Sequence, residues 1–418
     1  MAVVEQVSGD NTNPQGGGTE RDIPCGNSPY SLQSLQINAQ VTNRIAGVRS
    51  HLYCKVPTNT AAHDTAITFR INGSNGFQAI SVLAGTTGEF EDVSNVDAII
   101  SGDEINYRVV VGAGGGAITI ELLRTLFAAS VNTAGIYVAN TQQSGLELSE
   151  AGSSYYCLTD AMSGVNTNEA FAQTQINTPA TGKRLFVYAP TNTILVGSTT
   201  IRTRKNGGID WDGPGTSMFV TYTAGVSGIL EDLSRTDSIA VGDEYNTAVV
   251  MVNDAVLSFE LQTIAVTLET TNGKSQCVGG EASFGMGAVS VTNYATLSGG
   301  GPFSGGSETN HAVETDIPQG YITNAQCYVS ANSRASGSTF FRVRKNAAAS
   351  VVVVTITNGV TGFFQDAVNR ASFRSGDELN LGLILLIASG SLTLRTCGCL
   401  LQTLRKVSAD GPAVGIAA

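Results

Sequence analysis

The carboxylates that recur at fixed offsets are the residues best placed to do chemistry. Asp92, Asp232 and Asp366 each follow a Gly-x-x-Gly stretch, formed by Gly85 and Gly88, Gly225 and Gly228, and Gly359 and Gly362. A Gly-Asp-Glu triplet then follows at Gly102-Asp103, Gly242-Asp243 and Gly376-Asp377. Converging carboxylates could hold calcium, a hard cation that takes several oxygen ligands. An apposed pair could hydrolyse a glycan. The pattern argues against both. No Asp-x-[Asp/Asn]-x-[Asp/Asn]-Gly run is present, and the acids are divided between a turn and a strand end. A catalytic pair also has no reason to be written three times. We read the set as turn chemistry: Gly supplies positive φ, and Asp bonds backbone N–H groups two residues on. The expectation is a non-enzyme with no metal, no cofactor and no catalytic residue.

Other reactive types carry less. The histidines are His51, His63 and His311, and none accompanies a Gly-x-Ser-x-Gly elbow or a His-Glu-x-x-His pair. Gly112-Ala113-Gly114-Gly115-Gly116 lies between two strand-like runs and reads as a hairpin, not a phosphate cradle. The cysteines are Cys25, Cys54, Cys157, Cys277, Cys327, Cys397 and Cys399, with no Cys-x-x-Cys pair for zinc. Cys397 and Cys399 share one face of a strand and read as small core hydrophobes, with redox or metal use as the alternative. Trp211 is the only tryptophan; with Asp210 and Asp212 it forms a loop that could anchor a partner or stack on a sugar.

Repetition positions these residues. The second Gly of Gly-x-x-Gly precedes the Gly of Gly-Asp-Glu by 14 residues each time (102−88, 242−228, 376−362). Upstream, Arg70-Ile71-Asn72-Gly73 matches Arg204-Lys205-Asn206-Gly207 and Arg344-Lys345-Asn346-Ala347. Pro57-Thr58-Asn59-Thr60 matches Pro190-Thr191-Asn192-Thr193, with Ser330-Ala331-Asn332-Ser333 as the third version. The Trp211 loop lies in an insertion in the second copy. This alignment sets Cys54, Val187 and Cys327 in one place, as a buried apolar site would accept. The periods, 232−92 = 140 and 366−232 = 134, are the size of domains, not of solenoid repeats.

Each unit reads as strands. Ile105, Tyr107, Val109 and Val111 form one apolar face, and Leu379, Leu381, Leu383, Leu385 and Ile387 repeat it. Val351 to Ile356 is β-branched enough to lie between two layers. Ile118 to Leu122 and Leu392 to Arg395 alternate cleanly and close two of the units. Asn-Gly supplies a tight hairpin. The fold class expected is all-β: three tandem jelly-roll or β-sandwich domains of about eight strands each. The expected boundaries are an N-terminal arm at 1–24, repeats at 25–135, 136–270 and 271–405, and a tail at 406–418. Arm and tail are expected to be disordered alone and to fold on a neighbour in an assembly.

Composition limits the partners. The 418 residues are 42% hydrophobic and only 14% charged, with 48 Gly and a net charge of −11. The acidic balance disfavours nucleic acid and anionic membrane. The start has no basic segment before an apolar core, so synthesis in the cytoplasm without a secretory signal is expected.

The series Arg-x-Asn-Gly, Gly-x-x-Gly with Asp92, Asp232 or Asp366 after it, and Gly-Asp-Glu-x-Asn resembles repeat domains in structural proteins of tailed phage particles. Those domains are similar to the tumour-necrosis-factor and complement C1q heads. The resemblance spans about residues 25 to 405. It implies a non-enzymatic virion component, and favours a capsid decoration (cement or head-fibre) protein whose three repeats form a pseudo-trimer. The partners implied are the major capsid protein or other virion proteins. The alternative it leaves is a homotrimeric tail or fibre adhesin that binds host surface glycans.

Overall fold

The computed structural model describes residues 3–8, 15–25, 41–43, 46–120, 122–129, 136–148, 152–156, 169, 172–207, 217–252, 258–270, 274–279, 291–295, 297, 308, 313–314, 319–386 and 390–403. These are nearly all β. The principal strands of the first copy are Val3–Ser8, Glu20–Pro24, Gly47–Val56, Thr65–Ile71, Ser74–Val82, Gly88–Ile99, Glu104–Val111 and Leu122–Ala129. The second copy runs Ile136–Leu148, Gly152–Tyr156, Ala180–Ala189, Ser198–Lys205, Phe219–Thr223, Gly228–Ile239, Glu244–Val252 and Phe259–Thr270. The third runs Lys274–Gly279, Val291–Ala295, Gln319–Asn332, Thr339–Lys345, Ala348–Ile356, Gly362–Arg374, Glu378–Leu385 and Leu392–Thr403.

Numbered first to eighth within a copy, these strands pair antiparallel in two sheets, 1-8-3-6 and 2-7-4-5, and the same order recurs in all three copies. This is a jelly-roll sandwich. Each encloses a core of alternating inward residues. In the first copy these include Ile105, Tyr107, Val109 and Val111, the face read from the sequence, together with Ile67 and Phe69 of the fourth strand.

Turn residues fold as their chemistry requires. Asn72 and Gly73 join the fourth and fifth strands at φ 50° and 79°, as a primed hairpin turn needs. Asn206 and Gly207 take the same left-handed conformation, at φ 56° and 59°, just after the second copy's fourth strand. In the third copy Ala347 takes the glycine's place at φ 58°, a region that disfavours a Cβ. Ala347→Gly is therefore expected to stabilise the protein by about 0.5–1 kcal/mol in denaturant unfolding, the relief of strain exceeding the added chain entropy.

Three expectations need correction. Residues 1–24 are not an arm apart: Val3–Ser8 pairs with Leu122–Ala129, and Glu20–Pro24 with Glu104–Val111, as the first and second strands of the first copy. Val351 to Ile356 does not lie between two layers. It is the end strand of its sheet, with Val352, Val354 and Ile356 inward and Val351 exposed. Ile118 to Leu122 does not close its unit as one strand either. Ala117–Thr119 is a separate short strand, and the closing strand starts at Leu122. The tail at 406–418, Ile387, Cys157 and His311 lie outside the described residues.

Candidate functional site

The recurrent acids are staples within each sandwich. One carboxylate oxygen of Asp92 accepts N–H bonds from Ser94 and Asn95 at 3.1 Å, and the other accepts from Ala79 N at 2.9 Å. The sixth strand is thereby sewn to the fifth. Asp232 accepts from Phe219, Ser234 and Arg235 N–H groups at 3.1 Å, and from the Arg235 guanidinium at 3.0 Å. Asp366 repeats the pattern with Val353, Val368 and Asn369 N–H groups. Burial alone would raise the Asp232 carboxyl. The Arg235 side chain and the three N–H groups outweigh it and hold the group at about 2. Against the same burial, Asp92 and Asp366 are held below the usual carboxylate range by their hydrogen bonds.

The Gly-Asp-Glu triplet and the Arg-x-Asn-Gly turn are two halves of one clasp. Asn72 Nδ2 donates to Asp103 Oδ1 at 2.7 Å, and Glu104 N donates to Asn72 Oδ1 at 2.8 Å. The second and third copies give 2.8 Å for both bonds, through Asn206 with Asp243 and Asn346 with Asp377. The second oxygen of each Asp caps an N–H three residues back, at Ile100, Ala240 and Arg374. The Asp thus bonds backward, not two residues forward as the sequence reading has it. In the third copy the clasp borders a shallow polar depression lined by Asn346, Ala347 and Arg374 to Glu378. Both Asp377 oxygens there are already engaged, the second by Lys345 as well.

A third staple uses the Pro-Thr-Asn-Thr asparagine. Asn59 donates to the carbonyls of Leu83 and Thr86, and so fixes the Gly-x-x-Gly loop; Asn192 and Asn332 do the same in their copies. The repeated motifs are thus spent on folding. Among the described residues no cluster of three or more His, Cys, Asp or Glu is placed to hold a metal ion.

The aspartate staples set an acid limit. These carboxylates bind protons less readily folded than unfolded, so the unfolded chain takes protons up first as pH falls. Their contribution is complete above about pH 4 and is lost as pH falls toward 2. Melting temperature followed by circular dichroism should drop steeply over that window, and less steeply in Asp232→Asn.

The arrangement that goes beyond a single sandwich lies on the 1-8-3-6 sheets. In each eighth strand five consecutive residues are buried: 123–127, 264–268 and 397–401. These stretches are equivalent, because Leu123, Ile264 and Cys397 stand opposite Cys54, Val187 and Cys327 on the third strands. A sheet with one face in water alternates between buried and exposed; an unbroken buried run means both faces are covered. The inward residues belong to each copy's own core. The outward ones are Arg124 and Leu126 in the first copy, Ala265 and Thr267 in the second, and Gly398 and Leu400 in the third. Tyr53, Phe186 and Gln326 accompany them from the third strands, all buried.

Bonds and packing cross between copies at these faces. Leu126 packs in the same apolar cluster as the third copy's core. Asn177 of the second copy donates to Gln326 Oε1 of the third at 2.7 Å, and Gln326 Nε2 returns a bond to Gln175 O at 2.6 Å. Phe186, Tyr188 and Ala265 form an apolar cluster of their own. The Arg124 guanidinium lies 4.3 Å from the centre of the Tyr53 ring, a cation–π contact that shields a buried charge. The area agrees. The chain exposes 16415 Å²; one folded body of this mass would expose about 15300 Å², and three separate ones about 20500 Å² in total.

Trp211, Asp210 and Asp212 lie outside the described residues. The sequence reading missed the outward faces, and also a second repeated constellation. Arg204 makes a two-pronged pair with Glu169 at 2.5 and 2.7 Å beneath Tyr155. Arg344 does so with Glu308 beneath Tyr294. In the first copy Arg108 pairs with Glu20 instead. The signal available was the arginine of Arg-x-Asn-Gly, whose glutamates lie 35 and 36 residues upstream. Compared with known protein families and with curated proteins, the chain matches none.

Proposed function

We propose that this chain is a non-enzymatic structural protein of a phage particle, a capsid decoration protein whose three jelly rolls form a pseudo-trimer within one polypeptide. The observation that carries this reading is the five-residue buried run at equivalent positions of all three eighth strands. One chain supplies the cover for its own outward sheet faces, which a protein assembled from three chains would cover with other subunits. The resemblance of the repeated motifs to virion repeat domains supplies the setting. The recurrent polar groups strengthen a scaffold: among the described residues the repeated aspartates and asparagines are taken up by hydrogen bonds within each sandwich.

The surface left for other virion proteins is the edge where both sheets end, on the fifth and sixth strands. It exposes Phe77 in the first copy, Leu233 in the second, and Val351 and Val368 in the third, with Val368 90% accessible. Isolated exposed apolar residues are ordinary; their recurrence on the same two strands of each copy is what marks this edge. The test is cosedimentation with undecorated capsids and, separately, with whole host cells. Saturable binding to capsids, reduced at least tenfold by Leu233→Asp with Val368→Asp, supports the reading. Binding to cells and not to capsids overturns it in favour of an adhesin.

A further inference from the structure

The third copy carries two thiols where the first carries one and the second none. Cys397 on its eighth strand stands directly opposite Cys327 on its third. The equivalent pairs are Leu123 opposite Cys54 and Ile264 opposite Val187. Among these three equivalent pairs, two sulfurs are apposed only in the third copy. Val187 shows that packing at this place does not require a thiol. Both side chains are inward, at 1% and 2% exposure, in one apolar core. They are close enough that Cys397 adds to the effect of burial in raising the Cys327 thiol.

The register suits a covalent link. Directly opposed residues on antiparallel strands have Cα atoms about 4.5 or 5.5 Å apart, depending on whether the pair shares hydrogen bonds. A disulfide spans about 4.4–6.8 Å, so either kind of pair lies within range. On the other side of Cys397 the neighbouring strand presents Gly279, which carries no side chain to obstruct a rotation of Cys397.

We propose that Cys327 and Cys397 form a cross-strand disulfide site, closed by exchange with a small disulfide such as oxidised glutathione. One protein thiolate attacks the small disulfide, forms a mixed disulfide and releases one glutathione thiolate. The second protein thiolate attacks the mixed sulfur and releases the other. Two cysteine thiols are oxidised to one S–S bond, one oxidised glutathione is reduced to two thiols, and the two cysteine protons end on those thiols. Burial pushes the Cys397 thiol up to about 12, so the folded protein holds little thiolate. Exchange therefore runs through opened or folding chains, and is slow in the native state. The bond would tie the two central strands of the sheet across 70 residues of chain (397−327).

The experiment starts from reduced, unfolded protein, refolded with and without a reduced/oxidised glutathione mixture. Free thiols are then blocked by alkylation, and peptides are mapped without reduction. The expected result is a linked pair of peptides containing Cys327 and Cys397, two hydrogens lighter than their sum. The melting temperature should rise by several degrees and fall back on addition of reductant. Cys327→Val, which copies the second repeat, should fold and abolish both the link and the shift. Full alkylation of Cys327 and Cys397 in protein refolded with the glutathione mixture would overturn the proposal. So would a link only between Cys277 and Cys399, which also stand opposite each other.

Discussion

Ala265→Arg is expected to separate the second copy from its neighbours while leaving its own sandwich folded. Ala265 points away from its core, yet is only 5% exposed and packs with Phe186 and Tyr188. An arginine there adds volume to a filled interface, at about 1–3 kcal/mol. It also buries a charge with no planned partner, which costs several kcal/mol more. We expect a loss of more than about 3 kcal/mol in urea unfolding, with a larger radius of gyration in X-ray scattering. The first copy shows what such a residue needs: Arg124 holds the equivalent position with Tyr53 beneath its guanidinium. The third copy has Gly398 there, so Ala265→Gly should leave the radius unchanged. An unchanged radius and stability in Ala265→Arg would mean that this face is open to water.

The second large effect is expected at the aspartate staples. Asp232→Ala strands the N–H groups of Phe219, Ser234 and Arg235 and frees the Arg235 guanidinium from its carboxylate. Leaving a buried donor without an acceptor costs about 1–3 kcal/mol, and water reaches part of this site, so we expect about 3 kcal/mol in total. Asp92→Ala and Asp366→Ala should cost similar amounts, because their bonds repeat within a few tenths of an ångström. Asp232→Asn keeps one acceptor oxygen and should lose about half as much. The measurement is chemical denaturation of the three alanine variants. A loss under about 1 kcal/mol in all three would remove the staple reading.

What could be read from the sequence was local. A glycine at positive φ, an Asn-Gly hairpin and a run of alternating residues each depend on neighbours along the chain, so Gly85, Asn72 and Val109 announced their roles. The strand-rich fold and its repetition followed from such signals. Features that depend on distant partners stayed hidden. The outward face of the eighth strand reads as an ordinary buried run, because sequence does not say which body covers it. Gly398 and Ala265 look like neutral strand residues, and only their burial in the folded chain sets them apart.

The third strands show the same limit. Each carries a bulge at one equivalent position, occupied by His51, Arg184 and Asn324 at φ 55°, 59° and 50°. No glycine marks it, so turn chemistry gives no warning. The Val3–Ser8 strand was obscured by the polar, glycine-rich stretch that follows it, which looked like an arm. That strand is held by pairing with Leu122–Ala129, more than a hundred residues later.

Under the proposed reading, one chain completes its own threefold assembly. Light scattering coupled to size-exclusion chromatography tests it most directly, on the full chain at micromolar concentration and physiological salt. A single species of 43.3 kDa is expected. A species of three times that mass, with no monomer on dilution, would contradict it, because the buried faces of the eighth strands would then be covered by other chains.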